Sequence, residues 1–151
     1  MERPFERVYT VHDYWDGPRS GFADFQGVPH AYVSIFRDDL DDYDPEYRLW
    51  PVATDVLALA LEDWEIWERW QDAFHAGETT ISTHPALPAD TARHREIRPV
   101  IDKALEVPAE GYRLATADFG ALPGQEDLPV GRLRALEVRW TPLEGFNRVS
   151  S

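Results

Sequence analysis

Five histidines offer the most chemistry in this 151-residue chain, which has no cysteine. His12, Asp13, Asp16 and His30 come from adjacent predicted strands or from the turn between them. Imidazole and carboxylate ligands in such a set suit zinc or iron, and the same groups suit proton transfer near neutral pH. Adjacent strands do not by themselves put side chains on one face, and no HExxH pair is present. His75 and His84 flank a loop and can meet. An enzymatic reading, a small metal-dependent hydrolase or another enzyme, therefore uses His12, His30 and Asp16, with Asp63 as a further candidate.

Other constellations fail on spacing. Ser20 in GPRSGFA has Pro18 and Phe22 where a nucleophile elbow needs glycine. No glycine-rich phosphate loop occurs. The absence of cysteine excludes disulfides, thiol catalysis and thiolate metal sites. No cofactor is implied.

Asp63 draws attention because of the element that carries it. From Thr54 to Gly77 the apolar residues repeat at about 100° per residue, which predicts a long helix. Val56, Leu59, Ala60, Trp67, Trp70 and Phe74 share one face, and Asp63 projects into its middle. A carboxylate stripped of water there needs a donor, such as a Trp indole N–H or an arginine. Trp67, Trp70 and Phe74, with Trp64 on the flank, can bury on the order of 150–250 Å² each, so this helix is expected to dominate the core.

The strands are read from alternation. Arg7 to Trp15 comes first, with Val8, Thr10, His12 and Tyr14 on one face, then the WDGPRSG turn, then Gly21 to Gln26 and His30 to Arg37. Tyr47 to Val52 is a fourth strand, Gly111 to Phe119 a fifth and Arg134 to Trp140 a sixth. Between the fourth and fifth, a second helix begins near Pro88 and Asp90, with Arg93, His94, Arg95, Arg98 and Lys103 as a basic side expected to pair with the long helix or the acidic loop. Together these predict an α+β fold in one domain, residues 1–151. We expect a mainly antiparallel sheet of five or six strands, an N-terminal curled meander, and the Trp-rich helix and a shorter one packed on it.

Six carboxylates crowd into Asp38 to Glu46. A calcium loop needs glycine sixth and glutamate twelfth, but counting from Asp42 gives Tyr47 and Ala53, so no metal is assigned. The net charge is −13, with −11 on residues 1–76, which repels nucleic acid and anionic membranes and attracts a basic surface. The longest apolar run, VLALAL, is far short of a membrane span, and the N-terminus lacks the layout of a signal peptide, so a cytoplasmic protein is expected. Aromatic residues beside acids in the first half suit arginine and lysine through charge and cation–π contact. This predicts a non-catalytic acidic protein that binds a basic protein partner, or a second copy of itself, through Asp38, Asp39, Asp41, Asp42, Asp44, Tyr14 and Trp15.

The phrases WDGPRSG and THPALP (Thr83 to Pro88) resemble those of small uncharacterised bacterial proteins, a likeness spanning most of the chain. It implies a bacterial, cytoplasmic setting and brings no activity, substrate or site residues.

The two readings separate experimentally. If the acidic loop binds a partner, reversing the charges of Asp38 to Asp44 weakens capture of basic proteins and leaves any turnover intact. If the histidines are catalytic, His12→Ala or His30→Ala abolishes turnover and leaves capture unchanged.

Overall fold

The computed structural model describes residues 3–14, 17–121 and 136–143. In chain order the elements are β1 (Glu6–Tyr14), β2 (Pro18–Phe25), β3 (Val28–Arg37), β4 (Asp42–Pro51), α1 (Thr54–His75), a 3₁₀ turn at Ile81–Thr83, α2 (Thr91–Ala104), β5 (Arg113–Ala121) and β6 (Leu136–Pro142). The strands form a closed antiparallel barrel in which each pairs with the next and β6 returns to β1. Closure runs through Glu6 opposite Val138 and Arg7 opposite Glu137.

This overturns the expected open sheet with a curled meander and a covering Trp-rich helix. Alternation identifies a strand but not which strand lies on its far edge. Here β1 is hydrogen-bonded on both edges, to β2 and to β6. A closed barrel has no free edge, and at this size its interior is filled by side chains.

The filling is aromatic. Tyr32, Tyr47, Phe119 and Trp140 point inward with ring centroids 5.7 to 6.0 Å apart in tilted or edge-on arrangements, the geometry that suits ring quadrupoles. Val8, Phe25, Leu49 and Val138 complete the cluster. Each buried polar tip ends on backbone: the Tyr32 hydroxyl donates to the Thr10 carbonyl, the Tyr47 hydroxyl to that of Pro18, and the Trp140 indole to that of Asp24. The expectation that the helical tryptophans dominate the core is thus corrected as well. Trp64 and Trp67 are only half-buried and lie against each other, tilted, with centroids 4.7 Å apart.

A second apolar cluster lies on the outer wall of the barrel. Phe22 of β2 and Ala31 of β3 face outward and meet Ala60 and Ile66 of α1 and Ile97 and Ile101 of α2. The buried stripe of α1 is Ala60, Asp63, Ile66, Trp70, Gln71 and Ala73, whereas Phe74 is 38% exposed. Bidentate contacts of Arg93 with Glu62 and of Arg69 with Asp90 join the helices at the surface. Asp90 is the N-cap residue of α2, and its carboxylate takes the Arg69 guanidinium. Among the described residues no helix is long and apolar enough to cross a membrane.

Gly21 marks the tightest point of the wall. A Cβ there would lie 2.1 Å from the Thr10 carbonyl oxygen and 2.7 Å from the Tyr32 hydroxyl, the two atoms that bond to each other across the interior. We therefore expect Gly21→Ala to destabilise the fold by about 3 kcal/mol in urea unfolding. Gly120→Ala, whose Cβ would meet only Phe5 at 3.9 Å, should change stability by less than about 1 kcal/mol.

Candidate functional site

Four elements bring titratable side chains to one place, the seam between the barrel wall and the helix pair. His12 comes from β1, Asp63 from α1, His84 from the connection after the 3₁₀ turn, and His94 and Arg98 from α2, where their spacing of four puts them on one helix face. With Val11, Trp64, Trp67 and Pro85 they line a cavity of about 130 Å³.

Each residue is held by its own local physics. β1 is bulged against β2 between Val8 and Thr10 and again between Val11 and Asp13. A bulge adds a residue to one strand and shifts the alternation. Val8 and Val11 consequently both serve the interior, and His12 turns outward to meet the Phe22 ring edge-on at 5.7 Å. The connection carrying His84 is pinned to α1 by the Trp70 indole, which donates to the Thr83 hydroxyl at 2.8 Å, and His84 stands edge-on to the Trp70 ring at 4.6 Å.

Asp63 is 6% exposed and His94 supplies its donor. Nδ1 of the imidazole and Oδ1 of the carboxylate are 2.7 Å apart. A carboxylate only accepts, so the pairing places the ring proton on Nδ1 and leaves Nε2 as the second functional nitrogen. An Asp that fixes the tautomer and orientation of a His in this way is the arrangement of an acid–base pair.

His12 is the complementary oddity. Its Nε2 is buried and has no hydrogen-bond partner among the described residues. Burial pushes its pKa down to about 4, with the nearby Arg98 charge adding to the effect and Asp102 opposing it. At neutral pH it is therefore an uncharged imidazole beside a cavity. His84, at the exposed mouth, is also lowered, by partial desolvation and then by His94. Arg98 commits its Nε to Asp102 at 2.8 Å, which leaves the other guanidinium N–H groups available.

The residues singled out from sequence divide as follows. His12 and Asp63 share the cavity. His30 lies on the opposite side of the barrel wall, packed on Phe25 with Nδ1 2.8 Å from the Val28 carbonyl, its pKa lowered chiefly by burial. Trp15 and Asp16 fall outside the described residues. His75 ends α1 beside Phe74 and does not line the cavity that His84 borders. Among the described residues, no three His, Asp or Glu side chains are placed to hold a metal ion.

The acidic residues sit at the tip of the β3–β4 hairpin. Asp38, Asp39, Asp41 and Asp42 are exposed and Tyr14 is 47% exposed, but Asp44 is buried. Several of these acids bind within the hairpin: Asp39 forks onto Arg37, Asp42 accepts from the Tyr43 N–H, and Asp44 accepts from the Glu46 N–H. His94 was legible only as part of a basic helix side. The spacing of Asp63 on a mostly apolar stripe was the signal that some donor had to reach it.

No family model matches the chain, and no curated protein or solved structure matches it either.

His12 carries a stability prediction with a definite sign. Its folded pKa of about 4 lies below the ordinary 6.5, so the unfolded chain binds the extra proton first as pH falls. Stability is complete above about 6.5 and is lost as pH drops toward 4, by up to about 3 kcal/mol, with His30 and His84 adding in the same direction. Denaturant unfolding across this window should show a clearly flatter pH slope for His12→Gln than for the natural protein. An identical slope in both would mean that His12 is not held neutral.

Proposed function

We propose that the protein binds a small polar molecule in the seam cavity and that Asp63 and His94 act there as an oriented acid–base pair. The observation that carries this reading is the coincidence, in one cavity, of an imidazole fixed by a buried carboxylate with a second imidazole whose buried Nε2 lacks a partner. A buried polar group left unpaired costs about 1–3 kcal/mol, and a ligand that hydrogen-bonds His12 recovers it.

The ligand chemistry follows from the lining. Among the described residues no Ser or Thr lines the cavity, and the nucleophile assigned to a hydrolytic step is water. His94 Nε2 takes a proton from that water as its oxygen bonds to a carbonyl or phosphoryl centre, and returns it to the leaving group as the old bond breaks. The developing negative oxygen accepts hydrogen bonds from neutral His12 in its Nε2–H tautomer and from the N–H groups of Arg98 that Asp102 does not take. Trp64 and Trp67 supply the apolar side that keeps competing water out. This step uses only the residues of the cavity and no metal.

A second reading, a basic protein partner, is favoured by the charge of −13 and by apolar side chains exposed among acids. Phe36 is 46% and Leu40 52% exposed at the acidic hairpin tip. That surface is separate from the cavity.

The cavity reading is tested by screening ester, amide and phosphoester compounds for turnover, and for shifts of the His12 and His94 imidazole resonances. A compound found this way should be turned over about 10²-fold more slowly by Asp63→Asn and by His94→Gln, with unfolding curves reported alongside. A compound that turns over equally well in both variants, or one that shifts only His30 and His75, sinks the proposal.

A further inference from the structure

The wall opposite the cavity across Trp64 holds a larger feature. Where α1 passes over the start of β1 and β6 the surface opens into a groove of about 710 Å³, within the range of sites that take a drug-sized ligand or a short peptide segment. Its apolar lining includes Tyr9, Leu61, Trp64 and Leu136, all only partly buried by the chain itself. Glu6, Glu65, Glu68 and Glu137 also line it, against one cation among the described residues, Arg7; Glu6 accepts from the Gln26 and Gly27 N–H groups and Glu68 has a partner of its own, which leaves Glu65 and Glu137.

Two observations choose the occupant. The first is charge: among the described residues the lining holds four carboxylates and one guanidinium, and on a chain that carries −13 overall this attracts a cation and repels a second copy of the chain. The second is that the groove already accepts a guanidinium. Arg7 lies 4.5 Å over the Tyr9 ring, a cation–π contact made by the chain's own guanidinium, and Trp64 is a further aromatic residue of the lining. At the hairpin tip the charge is partly offset, because Asp39 forks onto the chain's own Arg37 guanidinium.

We infer that this groove is the docking site for a basic, apolar peptide segment of a protein partner, in which arginine or lysine alternates with leucine-like residues. The inference rests on the second reading above and moves the partner from the hairpin to the groove. The aliphatic stem of the incoming cation lies along Leu61, Leu136 and Trp64, and its charged head sits between Glu65 and Glu137. Trp64 is the shared wall of groove and cavity, so an occupant of the groove touches the residue that borders the His94 site.

The test uses the full chain and two synthetic peptides of equal length, one alternating leucine with arginine and one alternating leucine with glutamate. The Trp64 indole N–H resonance is the readout, assigned by its loss in Trp64→Phe. The basic peptide should shift that resonance, bind more weakly as salt is raised, and lose at least about tenfold in affinity in Glu65→Gln/Glu137→Gln. Asp38→Asn/Asp41→Asn, on the hairpin, should leave its affinity unchanged. Three results would each overturn the inference: equal binding of the acidic peptide, binding without a Trp64 shift, or a loss in the hairpin variant as large as that in the groove variant. In the last case the basic-partner reading survives and only its placement fails. No binding of the basic peptide at all removes both.

Discussion

Everything in this molecule depends on closing six strands around an aromatic interior. Tyr32, Tyr47, Phe119 and Trp140 fill the lumen, and three of them carry a polar tip that must be satisfied in a place water does not reach. Backbone carbonyls of Thr10, Pro18 and Asp24 take those tips. These bonds tie the lumen to the N-terminal β1–β2 half of the wall. Closure and side-chain satisfaction are therefore one constraint: the hydroxyl of Tyr32 reaches Thr10 only because Gly21 has no Cβ to block it.

A filled barrel leaves its outer wall to be covered, and only part of it is. Phe22 and Ala31 are buried by α1 and α2, while the start of β1 and β6 meets α1 loosely and leaves the groove. The histidine cavity lies on the border between these regimes, where helix packing gives way to the bulged end of β1. That position explains its character. It is dry enough to hold Asp63 at 6% exposure and to keep His12 uncharged, yet His84 stands open to solvent at its mouth.

The sequence made elements legible and left their assembly unread. The period of residues 54–77 located α1 almost to its ends, because a 22-residue amphipathic stretch has many independent positions that agree. Alternation likewise located segments within all six strands. Closure was invisible, since a strand reads the same whether one edge or two are paired. The face assignment of β1 failed for a local reason: alternation puts Val8 and His12 on one side, and the bulges put them on opposite sides. His12 and His30 were paired by sequence proximity, but one faces the helices and the other the lumen. The partner of Asp63 was unreadable because it lies 31 residues away on another helix. That it would need one followed from burial alone.

The pairing of the two helices shows why structure and site are hard to separate here. Three polar contacts align α1 with α2 or its cap: Glu62 with Arg93, Asp63 with His94, and Arg69 with Asp90. The outer two hold guanidinium groups 45% and 52% exposed, and such pairs contribute at most about 1 kcal/mol. The middle pair is 15% and 7% exposed, so removing one partner strands the other away from water, at a cost well above that of a surface pair. Asp63 thus fixes the register of the helices with the same hydrogen bond that orients His94.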